Sequence, residues 1–172
     1  MIKAEREKDI AFRMDFPAVV QIAAMKRISK RALGQYCVKK MRKYLDKRKA
    51  LVDWLSGIGE LLRITNKAIH HSVVVLDLFA ARTEDNDFDE HLMALCALLV
   101  SAKFVQMRYP SAESLNSATD YTYDYDQIIS MEGYLLDVCD WDLTQYPIFE
   151  FLNVLLAHGC LLESDEVLVT NY

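Results

Sequence analysis

The sequence predicts an all-α fold, and three observations carry that expectation. Only 5 glycines and 3 prolines punctuate 172 residues, while good helix formers such as Leu, Ala, Met, Lys and Glu are common. Apolar residues recur at steps of three and four through most of the chain. No alternating strand pattern, internal repeat or low-complexity tract competes with that period. The length suits one compact domain and is too short for two full ones. An apolar fraction of 52% is too high for a disordered polar chain.

Residues 1–16 are mixed and polar, with little to order them. Pro17 suits the first turn of a helix, and Val19, Val20, Ala23, Ala24 and Ile28 then line one face. Lys26, Arg27, Lys30 and Arg31 come close behind, so a short basic amphipathic helix is expected over about 17–32, ended near Gly34. A second basic segment runs from Gln35 to Leu45, with Tyr36, Met41, Tyr44 and Leu45 as its apolar positions. From Lys47 the period is regular through Leu51, Trp54, Leu55, Ile58, Leu61 and Leu62. Asn66 can cap the next helix, whose buried side is Ile69, Val73, Leu76, Leu78 and Phe79, and the acidic run 83–89 ends it. Residues 92–104 are apolar nearly all round, which predicts the central buried helix, with Ala94, Ala97 and Ala102 admitting close neighbours. Pro110 interrupts, Ser111–Ser117 suits a short helix, and Asp120–Tyr125 is rich in turn formers. Ile128, Met131, Leu135 and Val138 mark another helix. Pro147 opens a last one carrying Phe149, Phe151, Leu152, Leu155 and Leu156, and residues 163–172 are expected to fray.

Cys37, Cys96, Cys139 and Cys160 form no Cys-x-x-Cys pair, and Cys96 lies in an apolar run, which predicts reduced buried thiols of the nucleus or cytoplasm. The charged start from Lys3 to Asp9 does not fit a secretory signal. No apolar stretch reaches the ~18 residues of a membrane span. Net charge is −5, but residues 1–50 hold 15 Lys/Arg against 5 Asp/Glu, and residues 51–172 hold 5 against 20. A basic arm on an acidic body suggests two surfaces; the arm is either a solvated basic face or a partner-binding or import patch.

Catalytic signatures are missing. No phosphate-binding glycine loop, nucleophile elbow or His-Glu-x-x-His occurs. His70 and His71 are adjacent and point to different sides of a helix, so they do not share a metal. The acids of Glu84–Glu90 lack the spacing and central glycine of a calcium loop. Neither a catalytic residue nor a metal or other cofactor is expected, and a binding module is favoured over an enzyme with a small-molecule substrate.

The run Arg48-Lys-Ala-Leu-Val-Asp-Trp-Leu55 is followed by Asn66–Phe79 with Leu76-Asp77. Then come Leu98-Leu-Val-Ser-Ala-Lys-Phe104, Met131-Glu132 and Trp141-Asp142-Leu143. In order and spacing these resemble the N-terminal cyclin box over about 110 residues, nearer the A/B- and J-type cyclins than the transcriptional ones. The resemblance implies a single five-helix cyclin-box bundle around helix 92–104, with basic N-terminal helices and one extra C-terminal helix. The corresponding domains are a basic arm over 1–46, a cyclin box over 47–145 and a C-terminal helix and tail over 146–172. It also implies a partner, a cyclin-dependent protein kinase whose C helix is pushed inward so that its own Lys–Glu pair forms. Lys103, Phe104, Glu132, Leu136, Trp141 and Leu143 match the family's kinase-facing positions. Lys103 and Glu132 each interrupt an apolar stretch, which is costly unless the charge finds a partner or water. They either pair at the kinase-facing rim or reach solvent separately. Trp141 is either an exposed anchor or a core residue. Arg48 and Asp77 match a structural pair between the first two helices of the box.

The substrate-docking patch of the family is degenerate here. Leu51 and Trp54 survive, with Trp54 either groove or core, whereas Lys47, Ala50, Gly57, Glu90 and His91 replace the rest. Weak recruitment of Arg-x-Leu substrates follows. Val105 and Gln106 replace two acids after Lys-Phe, removing charge from the kinase-facing surface. Only 25 residues follow Pro147, too few for a second box, and the N-terminal helices are expected to cover the surface that such a box would bury. The leading expectation is a non-catalytic kinase-activating subunit, the alternative a cyclin-box scaffold adaptor without activation. Nucleic-acid binding is disfavoured by the acidic box and would rest on residues 26–49 alone. No membrane partner is expected.

Overall fold

The structure, a computed structural model, describes residues 16–33, 41–83 and 88–158. The polar start over 1–15, Gly34, the segment to Lys40, most of the acidic run 83–89, the tail from Gly159, Cys37 and Cys160 lie outside them. Seven helices occur among the described residues, and no strand: α1 Phe16–Leu33, α2 Arg42–Leu61, α3 Asn66–Arg82, α4 Glu90–Val105, α5 Ala112–Ala118, α6 Tyr125–Val138 and α7 Ile148–Ala157. None is long and apolar enough to cross a membrane.

The core is built around α4. All eleven residues from Leu92 to Ala102 are buried, because α2, α3, α5 and α6 surround the helix and leave no polar face. The closest partner is α3, which contributes Val75, Leu76, Leu78 and Phe79. Alanines at 94, 97 and 102 keep the helix slim enough for this packing. Asp89 caps α4 by accepting from the His91 and Leu92 N–H groups, and Tyr123 donates its hydroxyl to the same carboxylate. Cys96 and Cys139 lie in this core; burial pushes their thiols up to about 12 and about 11, so both stay protonated and unreactive at neutral pH.

Two boundaries differ from the sequence expectation. The second basic segment does not stand apart: α2 begins at Arg42 and runs unbroken past Lys47, because Met41 and Tyr44 are already in the core. The cap of α3 is Thr65 rather than Asn66. Thr65 is extended, at φ −67° and ψ 146°, and its hydroxyl accepts from the Ala68 N–H, whereas Asn66 is already helical.

Helix α1 stands outside the bundle. It packs on α7 through Ile22 and Met25 against Val154, with Phe151 and Leu155 alongside, and α7 in turn packs on α3. Lys26 and Arg27 are exposed, and so are Val20, Ala23 and Ala24 of the expected apolar face, because the seam with α7 runs through Ile22 and Met25 instead.

Candidate functional site: a charged and aromatic rim

Helix α4 leaves the core at its C-terminal end, and the two residues that emerge are Lys103 and Phe104. Lys103 Nζ lies 2.6 Å from Glu132 Oε1 on α6, so the two interrupting charges do pair. The carboxylate is the more enclosed partner, which is where an uncompensated charge would cost most. Leu136 is one turn further along α6 on the same face, half-buried against the core. Phe104 is 52% exposed. Its ring stacks on His71, with centroids 5.2 Å apart.

His71 is the hinge of this region. Its Nε2 is 2.8 Å from the Leu143 carbonyl, which can only accept, so Nε2 carries the proton. Nδ1 therefore accepts from the Ser101 hydroxyl at 2.9 Å. Both ring nitrogens are satisfied inside the protein, and burial holds the imidazole below its usual pKa, hence neutral. One side chain thus ties α3 to α4 and to the segment that follows α6. Beside it opens a cleft of about 260 Å³, walled by Lys67, Phe104, Gln145, Tyr146 and Glu150. Lys67 Nζ approaches Glu150 Oε1 to 2.7 Å across it, an ion pair whose angle falls short of a hydrogen bond.

Trp141 stands on that same segment, two residues before Leu143. It is 68% exposed, which settles the sequence alternative in favour of a surface indole. Leu143, by contrast, is only 8% exposed; its side chain packs in the main core, and its carbonyl is the one that accepts from His71.

The structural pair is a three-membered cluster. Arg48 donates to Asp77 through Nε at 2.7 Å and Nη2 at 2.9 Å, and the Tyr44 hydroxyl donates to the same carboxylate at 2.7 Å. Burial, with Asp77 beside it, keeps the Tyr44 phenol protonated well beyond its ordinary range.

The degenerate patch is also occupied from within. Leu51 is 3% exposed and packs in the main core. Trp54 is half-buried and meets His91 edge-on, with centroids 5.0 Å apart. Lys47 is not a free edge charge, since its Nζ lies 3.0 Å from Glu90 on α4. Among the described residues no three His, Cys, Asp or Glu side chains gather as metal ligands.

Sequence reasoning placed Tyr44 only as an apolar position and missed its bond to Asp77, the His71–Ser101 bond and the part played by Gln106. That amide accepts from the Thr65 N–H and hydroxyl at 3.1 Å and donates to the Arg108 carbonyl at 2.7 Å. It joins the cap of α3 to the end of α4. A lone polar residue at a predicted helix end was the only available signal.

A family model described as the cyclin N-terminal domain matches residues 20–144, which is most of the chain. The chain belongs to the cyclin family. Among curated cyclins, it is 31% identical to cyclin-A2 of Gallus gallus over 111 residues, covering 64% of this chain and 28% of that protein. It is 30% identical to cyclin-A2 of Homo sapiens over 121 residues, or 68% and 28%. Against G2/mitotic-specific cyclin-B1 of Caenorhabditis elegans it is 29% identical over 108 residues, or 63% and 30%. The chain therefore spans less than a third of the length of these cyclins. The match covers the five helices α2–α6 that enclose the rim, together with most of α1.

Proposed function

We propose that this cyclin box docks on a cyclin-dependent protein kinase through the rim around Lys103 and activates it by moving the kinase's C helix. The observation that carries the reading is the Lys103–Glu132 pair, set at the end of a fully buried helix next to the exposed Phe104. A buried helix cannot tilt without disturbing the whole core, so the rim is presented rigidly. A kinase needs its own Lys–Glu pair in place before phosphoryl transfer. A partner that binds the inward position of the C helix more tightly than the outward one shifts that equilibrium without supplying a catalytic group. The chain would act in the nucleus or cytoplasm.

A second reading, an adaptor that binds without activating, draws on Gln106 and Val105. The amide is already engaged with Thr65 and Arg108, and Val105 is uncharged, so the kinase-facing end of α4 has less to offer a basic partner.

The test is to mix the purified chain with monomeric cyclin-dependent kinases and record both complex formation and histone phosphorylation. Binding with phosphorylation supports activation, and binding without it supports the adaptor. Lys103→Glu places two carboxylates together and should weaken binding at least about tenfold while the chain stays folded. Unchanged binding would remove the rim from the interface.

A further inference from the structure

Helix α6 ends at Val138, and the chain then turns through Cys139, Asp140 and Trp141. Asp140 and Trp141 both adopt left-handed backbone, at φ 54° and 56°. Aspartate tolerates that region, but a bulky residue rarely enters it. The turn is closed by two backbone bonds: the Asp140 N–H donates to the Asp137 carbonyl at 3.0 Å, and the Trp141 N–H to the Leu136 carbonyl at 2.9 Å. These bonds account for the backbone. They do not account for the side chain, a large ring left 68% in water. A ring so placed would ordinarily sample several rotamers. Here the indole Nε1–H donates to Asp137 Oδ1 at 3.0 Å, folding the ring back over the last turn of α6.

Asp137 is out of place by the rules of helix stability. It sits in the last turn of α6, where the macrodipole disfavours negative charge. No Lys or Arg forms an ion pair with it among the described residues. What its carboxylate does is accept from the indole, and a charged acceptor makes that bond stronger than a neutral one would. We infer that Asp137 is a positioning residue, holding the exposed Trp141 indole in one orientation before a partner arrives. The inference rests on the kinase-docking reading above. A pre-set aromatic anchor loses less side-chain freedom on binding, and a fixed indole is the kind of residue that dominates an interface.

The experiment uses the full chain, wild type and with Asp137→Ala and Asp137→Asn. In the free protein, the Trp141 indole N–H is followed by nitrogen-15 NMR and distinguished from Trp54 by a Trp54→Phe spectrum. The N–H should exchange slowly with water in wild type and Asp137→Asn, and rapidly in Asp137→Ala. Kinase binding should weaken about three- to tenfold in Asp137→Ala and stay within about twofold in Asp137→Asn. The melting temperature of Asp137→Ala should not fall, because an unfavourable helix-end charge has been removed. Several outcomes would overturn the inference: unchanged binding in Asp137→Ala, equal loss in Asp137→Asn, or a melting temperature that falls along with affinity. A wild-type chain that binds no kinase sinks the docking reading and this one with it. A wild type that binds, beside an Asp137→Ala that binds equally well, sinks the positioning role alone.

Discussion

Removing the Asp77 carboxylate separates what holds the fold from what faces the partner. Three donors meet there, two from Arg48 and one from Tyr44. Their surroundings differ. Tyr44 is 6% exposed, so its hydroxyl cannot turn to water when the acceptor is lost, and a hydrogen bond to a charged group in that setting contributes about 1.5–2 kcal/mol. Arg48 is more open, and solvent would recover most of its loss, which leaves about 1 kcal/mol for the bidentate pair. Asp77→Ala should therefore destabilise by about 2.5–3 kcal/mol, or roughly 5–10 °C for a domain of this size. Tyr44→Phe should lose about 1.5 kcal/mol. In the double variant the tyrosine's share should already be gone, giving a coupling of about 1 kcal/mol or more in the cycle. Urea titration of the four proteins measures this. An Asp77→Ala cost below about 0.5 kcal/mol with no coupling would refute the cluster. Kinase affinity, measured where all four remain folded, should not move, since none of the three residues lies on the rim.

His71 makes stability depend on pH. Its folded pKa lies below the unfolded value of about 6.5, so below that pH the unfolded chain takes up a proton that the folded chain refuses. Stability is therefore complete above about pH 6.5 and declines as pH falls, by at most about 1.4 kcal/mol per unit from this group. Melting curves from pH 7.5 to 5 should show a shallower decline for His71→Gln than for wild type, and equal slopes would exclude His71 as the cause. Gln106→Ala should cost about 1 kcal/mol and speed hydrogen exchange at Thr65. Gln106→Glu keeps an acceptor for Thr65 but loses the donor to Arg108, so it should fall between the two; protection equal to wild type in both would deny the link.

The sequence shows its helices where one physical signal dominates. The 92–104 run is apolar nearly all round and so reads as a buried helix; α4 is buried from Leu92 to Ala102, and only Lys103 and Phe104 at its end emerge. Period was enough for α6, where Ile128 and Leu135 are buried as spaced. It failed at the start of α2, because lysines and arginines on every side of Met41 and Tyr44 hide the apolar stripe. Thr65 and Asn66 are both good caps, and only the backbone angles decide between them. Resemblance brought out Lys103, Glu132, Arg48 and Asp77, but could not tell Leu143 from Trp141. These are neighbours on one short segment, and the segment's anchor, a buried histidine bound to the Leu143 carbonyl, lies 72 positions away in sequence.

Each exposed residue of the rim is set by a second one that the partner need not touch. Glu132 holds Lys103, His71 backs Phe104, and Asp137 holds Trp141. These supports carry costs in the free protein. Glu132 is a largely enclosed charge, His71 must remain neutral, Trp141 occupies a left-handed backbone, and Asp137 opposes the helix dipole. A fold selected for stability alone would relax most of them. Their concentration around the residues of the proposed docking rim fits that reading: ordering done during folding leaves less to be done on binding.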